Sequence, residues 1–451
     1  MVSTTLYSAR GADPTTAPAF LAPLDQLRSG LPGAALSWVR DLRAQGRERF
    51  AALGLPTIRN EAWRYTNLRD LGKLAFHPAA AADSDVRFDV LPSVGTDGRG
   101  GPRLVFVDGR FRAALSSTDG LPAGVELLSL AAAFASHDAL VGDHLGRLAA
   151  ADNLPLVALN SAFLADGPVL RIAAGVAIDQ PIELVFVSAG AEGQATSFHP
   201  RSLIVVEAGA RAVVVEHHVG CGTGTTLANH VAEIFVGEGA TLHHYKAQRE
   251  GAGAFHLSHS AATVARGGCY DNFILTTGAR LSRNEVVSVL AGTDARTHVS
   301  GGYLARGNQH VDTTTLIDHA QPNGTSREVY KGVIDDTARG VFQGKIIVRP
   351  QAQKTDGHQL NRALLLSETA EIDAKPELEI HADDVKCSHG CTAGELDDAA
   401  LFYLRARGID KETARGLLIG AFLAEVLEEI AEQPVRDAFQ GIVAGWLEEK
   451  R

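Results

Sequence analysis

The chain has 451 residues, 45% hydrophobic and 21% charged, a balance that fits a soluble globular protein and excludes disorder throughout. Its 42 basic and 53 acidic residues give a net charge of −11 with no Lys/Arg cluster, which argues against general nucleic-acid binding. Four cysteines are too few for a disulfide scaffold, and no apolar run approaches the ~18 residues of a membrane span, so a cytoplasmic chain with reduced thiols and no membrane partner is expected.

Residues 1–24 are rich in Ala, Thr and Pro and read as a flexible tail. From Asp25 the pattern turns helical, with Leu36, Val39, Leu42 and Phe50 at spacings near three and four. This opens a mainly helical N-terminal region, 25–150. Within it, residues 77–101 read as a linker and Arg103-Leu-Val-Phe-Val107 as a strand, stopped by the hairpin signal Asp108-Gly109. A helical, Ala-rich stretch follows from Leu128 to about Leu148.

Across 151–391 short β-branched runs alternate with turns. Examples are Ser202-Leu-Ile-Val-Val206, Ala212-Val-Val-Val215, Glu233-Ile-Phe-Val236 and Lys345-Ile-Ile-Val348. The turn glycines Gly175, Gly209, Gly239 and Gly268 recur about every thirty residues. No amphipathic helix intervenes, so a βαβ sheet does not fit. The stretch is long for a jelly roll or sandwich, and a parallel β-helix suits its length and recurrent turns better. After Cys391 the chain is helical again, forming a C-terminal region, 392–451. Asp397-Asp398 can cap a helix from Ala399 to Arg407, stopped at Gly408. Asp410 can cap a second, from Lys411 to about Glu432, and a third runs from about Val435 to Leu447.

Gly340-Val-Phe-Gln-Gly344-Lys345 falls one residue short of a P-loop, and Ile346 stands where a Mg²⁺-binding hydroxyl belongs, so no bound nucleotide is expected. On a strand, one ring of His217-His218 and one of His243-His244 would point inward and the other outward. Hydrogen-bonded solenoid histidines are the simplest reading of both pairs. Cys387, His389 and Cys391 fall at i, i+2 and i+4, on one face of an extended segment. Neighbouring members would then sit ~7 Å apart, too far to share one ion and suited instead to a larger cluster or a partner. Gly390 could allow a bend that brings two together, and Lys386 would favour the Cys387 thiolate.

The run Asn361-Arg-Ala-Leu-Leu-Leu-Ser-Glu, continuing through Lys375-Pro-Glu-Leu-Glu-Ile-His to Lys386-Cys-Ser-His-Gly390, strongly resembles the SufB/SufD family of the SUF iron–sulfur cluster assembly machinery. Within it, Asn361-Arg362 and Lys386-Cys-Ser-His-Gly390 look like the SufD branch. Leu401-Phe-Tyr-Leu-Arg-Ala-Arg-Gly-Ile409, Glu61-Ala-Trp-Arg-Tyr65 and Phe106-Val-Asp-Gly-Arg-Phe111 continue the likeness. The resemblance implies a right-handed parallel β-helix flanked by N- and C-terminal helical regions. It implies a non-catalytic scaffold that pairs with SufB through the β-helix and docks the SufC ATPase on the C-terminal helices. A transient iron–sulfur cluster would be shared with SufB, with Cys387 and His389 as the interface ligands. Cys391, usually Ala in the family, would be an additional thiol or a small-residue swap. The resemblance also makes Leu401, Phe402, Tyr403, Arg407, Leu417 and Phe422 the expected partner-binding residues. Three rivals stand beside this reading: a SufB-like scaffold, a homodimer of the isolated chain, and an autonomous β-helix enzyme such as a polysaccharide lyase.

Overall fold

Val and Ile at alternate positions favour a pleated backbone, and in the computed structural model each such run is a strand of a parallel β-solenoid. The structure describes residues 11–27, 30–79, 93–94, 101–190 and 192–449. Successive strands alternate between two sheets, so each coil gives one strand to each. One sheet runs in parallel from Arg201–Val206 through Thr226–Val236, Ala254–Val264, Leu281–Leu290, His310–His319 and Arg339–Val348 to Glu371–Ile380. The other runs from Arg211–Gly220 through Thr241–Arg249, Cys269–Thr276, Arg296–Ala305, Thr325–Ile334 and Thr355–Leu365 to Val385–Gly394.

The expected glycine period is one corner of this solenoid. Gly175, Gly209, Gly239 and Gly267 all have positive φ with open space around them, so conformation rather than crowding selects glycine there. Gly267, not Gly268, holds the corner. Each corner N–H donates to the next coil, from Gly209 to the Glu238 carbonyl, Gly239 to Arg266 and Gly267 to Thr293. The ladder continues past the last glycine through Asp294, Asn323 and Lys354, whose φ values are +61°, +61° and +62°.

Eight α-helices flank the solenoid among the described residues: α1 (Ala17–Leu27), α2 (Ser37–Leu53), α3 (Leu130–Ser136), α4 (Ala139–His144), α5 (Pro155–Ala162), α6 (Asp398–Arg405), α7 (Lys411–Leu427) and α8 (Gln433–Glu448). Within the segment expected as a tail, Ala12–Asp13 pairs with Leu55–Pro56, and α1 buries Phe20, Leu21 and Leu24. Those apolar side chains pin a stretch whose composition alone suggested mobility; residues 1–10 lie outside the described set, as does most of the expected linker. Helix α2 packs on α5 through Gly46, where a Cβ would come within 2.7 Å of the Ala158 carbonyl oxygen.

At the C-terminus the expected caps are present. Asp397 accepts from the Ala399 N–H and Asp410 from that of Thr413. Helices α7 and α8 bury Leu423, Val426, Phe439 and Trp446 against Tyr245, Phe273 and Leu304 on the outer face of the second sheet. At ~25 cal/mol per Å² of apolar surface, this burial holds the helices far more firmly than their caps do.

Deep in the first coils Arg201 and Glu233 form an ion pair at 2.6 Å, both side chains fully buried. Glu233 also accepts N–H bonds from Gly146, Leu148 and Ala149, tying the loop after α4 to the solenoid. Glu233→Ala strands a buried guanidinium and should cost ~3–5 kcal/mol. Urea denaturation checks this: the midpoint should fall clearly below that of the native chain, and an unchanged midpoint would mean that the pair is dispensable.

Candidate functional site

Every strand inside the stack is hydrogen-bonded on both sides. At the last coil this stops. Among the described residues Glu371–Ile380 pairs only with Arg339–Val348, and Val385–Gly394 only with Thr355–Leu365. Both sheets therefore end in free edges at the same end of the solenoid, each a template for a further strand.

The three sequence-predicted ligands lie on the second of these edges. The strand is continuous from Val385 to Gly394, so Gly390 makes no bend. In register, Cys387 faces Gly357, His389 faces Gln359 and Cys391 faces Asn361. All three belong to the inward row. Cys387 and Cys391 are half-buried against the end of the solenoid core, while His389 is exposed at its mouth. They do not close on one another: among the described residues, the groups of three donors within 4.8 Å lie elsewhere. The rim is thus an open S/N/S row, as its spacing predicts.

Burial pushes the Cys387 and Cys391 thiols up, the nearby Asp356 adding to the shift at Cys387. Lys386 alternates to the opposite, exposed face, so the expected thiolate does not form. Both sulfurs are thiols at neutral pH, and ligation must displace their protons. Behind His389 the Gln359 amide donates to buried Glu328 at 2.7 Å, and burial pushes the Glu328 carboxyl up to about 7. No sequence signal pointed to this pair, which only the coil register brings under the rim.

The C-terminal helices present a separate surface. Phe402, Tyr403 and Leu417 are 74%, 57% and 52% exposed. Leu401 is half-buried beside them, and Arg407 stacks on Tyr403, its guanidinium carbon 3.3 Å from the ring centre. Phe422 differs: it packs under Lys331, whose ammonium lies 4.5 Å from the ring centre and donates to the Phe422 carbonyl. It anchors α7 to the solenoid. His298 reinforces that anchor between Asp271 and Glu429. Burial alone would lower this imidazole, but hydrogen bonds to both carboxylates raise it to about 9, so it is a cation at neutral pH.

The histidine pairs split as expected. His218 and His244 turn inward, whereas His243 bonds Asp271 on the outer face at 3.0 Å. The glycine-rich Gly340–Lys345 run lies inside a strand, and Lys345 pairs with Glu379 at 2.6 Å. It is no phosphate loop. Among the described residues no helix is long and apolar enough to cross a membrane.

The model of the SUF-system FeS cluster assembly SufBD core domain matches residues 186–422, and that of the SufBD N-terminal region matches 25–184. An iron–sulfur cluster assembly SufBD family protein of Synechocystis sp. is 33% identical over 84% of this chain and 85% of its own length. The iron–sulfur cluster assembly protein SufD of Escherichia coli is 31% identical over 85% of this chain and 87% of its own, and SufD of Bacillus subtilis is 28% identical over 65% and 67%. The chain belongs to the SufBD family of SUF-system iron–sulfur cluster assembly proteins.

Proposed function

We propose that this chain is the SufD-type scaffold subunit of a cytoplasmic SUF complex, pairing with a SufB-type solenoid through its last coil and carrying a SufC-type ATPase on its C-terminal helices. One observation carries the reading: two free strand edges end beside an inward row of Cys387, His389 and Cys391 that is too spread to hold an ion alone. A homologous edge adding to it satisfies the backbone and supplies the missing ligands. Thiolate and imidazole both ligate iron–sulfur clusters. The nascent cluster is cargo shared across that interface. His389, already exposed, is the first ligand, and Cys387 joins when the rim rearranges and its thiol loses its proton.

The apolar face of Leu401, Phe402, Tyr403 and Leu417, rimmed by Arg407, is the proposed ATPase dock. The chain's P-loop-like segment is a strand, so ATP chemistry falls to that separate subunit. ATP-driven movement of α7 would load the strands Arg296–Ala305 and Thr325–Ile334, to which His298, Arg327 and Lys331 fasten it. Those strands lie two coils and one coil below Thr355–Leu365, and three and two coils below Val385–Gly394. The family finding favours this scaffold over an autonomous lyase, and a homodimer through the same edges is the outcome expected when the SufB-type partner is withheld.

Three outcomes test the reading. His389→Ala should leave the three-subunit complex intact on gel filtration while cluster yield in anaerobic reconstitution, read by visible absorbance, falls ~10-fold or more, the scale on which even an outer-shell change weakens a metal site; full yield would remove His389 from the site. Iodoacetamide should modify Cys387 and Cys391 more slowly in the folded chain than in urea near neutral pH, the gap narrowing as pH rises; equal rates would mean exposed thiolates. Phe402→Glu with Leu417→Glu should weaken ATPase co-purification by the ≥ ~2 kcal/mol typical of an apolar anchor, with solenoid pairing unchanged; undiminished capture would move the dock elsewhere.

A further inference from the structure

A second concentration of ligand-type side chains lies inside the shaft of the solenoid, several coils from the rim. Glu216 and His218 turn inward from Arg211–Gly220. His230 faces them from Thr226–Val236 in the other sheet, and His244 comes from the next coil, Thr241–Arg249. All four are 2–3% exposed. His218 Nε2 lies 3.0 Å from Glu216 Oε2, and His230 Nδ1 lies 3.9 Å from the same oxygen. His244 Nε2 lies 3.1 Å from the other oxygen, Oε1. One donor atom each from Glu216, His218 and His230 lies within 4.8 Å of the others. Two donors bound ~2.1 Å from one ion sit ~3–4 Å apart, the spacing found here.

A hydrogen bond between His218 and Glu216 accounts for only part of this cluster. The 3.9 Å separation at His230 is too long for a hydrogen bond. Glu216 Oε1 and His244 Nε2 lie 3.1 Å apart and meet no further polar partner among the described residues. The rings are also held from behind. Ser202 Oγ lies 2.7 Å from His230 Nε2, and the Tyr270 hydroxyl 3.1 Å from His244 Nδ1. These hydroxyls hold the His230 and His244 rings with their other nitrogens toward Glu216, the outer-shell arrangement of ligating imidazoles. His218 is wedged by stacking on Phe186 at 4.7 Å.

The neighbouring group His218, Glu250 and His256 is a different case. Both His256 nitrogens are taken, Nδ1 by Glu250 at 2.6 Å and Nε2 by the Lys246 ammonium at 2.9 Å. Lys246 already supplies the positive charge there.

We propose that Glu216, His218 and His230, with His244 closing on the second carboxylate oxygen, bind one divalent first-row transition ion, Zn²⁺ or Fe²⁺, inside the solenoid. Imidazole with one carboxylate is the donor set such ions take, in place of the all-oxygen cage of Ca²⁺ or Mg²⁺. The ion cross-braces the two sheets and is bound as the coils close, since its ligands are buried. It is independent of the rim: no cysteine takes part.

The test uses the full chain, expressed with Zn²⁺ or with Fe²⁺ under anaerobic conditions, washed with EDTA and assayed by elemental analysis. About one ion per chain should survive the wash, as for a closed site. The rim variant Cys387→Ser/His389→Ala/Cys391→Ser should keep that ion while losing cluster formation, which separates this site from the rim. Glu216→Gln with His230→Gln, confirmed folded by circular dichroism, should retain less than ~10% of it. Refolding the native chain with Co²⁺ supplies a readout free of any variant: ligand-field bands without sulfur-to-cobalt charge transfer are expected. An EDTA-washed chain holding neither ion, undiminished metal in the folded Gln variant, or a sulfur charge-transfer band in the Co²⁺ spectrum would each overturn the proposal.

Discussion

The interaction on which the structure depends is the lateral backbone ladder. Each coil satisfies the N–H and C=O groups of the coil below, and the corner bonds from Gly175 to Lys354 repeat the same exchange at the turns. Such a ladder has no natural end. At the N-terminal end the chain supplies one: Val125–Ser129 pairs antiparallel with Pro168–Ile172, and Arg110–Phe111 pairs antiparallel with Arg103–Val107, reversing the direction of the stack. The C-terminal end has no such reversal among the described residues. A free edge is a hazard unless something pairs with it, and this one carries a His and two Cys facing into its mouth. The free edge and the Cys/His row therefore lie on one strand.

Burial decides the chemistry of that row more than charge does. Lys386 is adjacent to Cys387 in sequence, yet alternation places it on the opposite face, where its ammonium meets water. The thiol instead meets the end of an apolar core. Burial favours the protonated form of both sulfurs, and the thiolate is the form open to metal capture and oxidation. The helices α7 and α8 are packed directly on the sheet that ends in this row. They share an apolar core with the second sheet rather than hanging from a linker, so force applied to them reaches the strands beneath the rim.

Where the controlling physics is local, the sequence was legible. Asp397 and Asp410 cap helices by reaching an N–H two or three residues away, and alternating Val and Ile report strands directly. The thirty-residue period was visible only as far as its glycines lasted. Asp294, Asn323 and Lys354 adopt the same left-handed corner, which the first two tolerate through short polar side chains; the ladder compels Lys354 to follow. Helix α1 was missed because its Ala- and Pro-rich composition resembles a tail, although Phe20, Leu21 and Leu24 are the residues that dock it. The Glu216 cluster was illegible for a different reason. Its members come from three strands in two sheets, and only the coil register brings them within ligand distance.

The shaft and the rim are insulated from each other by the same register that builds them. In the column ending at His389, the inward residues are Asn272, Val299, Glu328, Gln359 and His389. Val299 interrupts the polar row one coil below Glu328. Tyr330 and Phe342, their rings 5.4 Å apart, fill the lumen at that level together with Ile317. Gln359 and Glu328 continue the polar row below His389, but Val299 breaks it before it reaches His244. An ion held at Glu216 would therefore act on the rim only mechanically, by fixing the spacing of the two sheets on which the last coil is laid. On this architecture the buried charges set the frame, and the ladder is left open in the single layer that carries Cys387, His389 and Cys391.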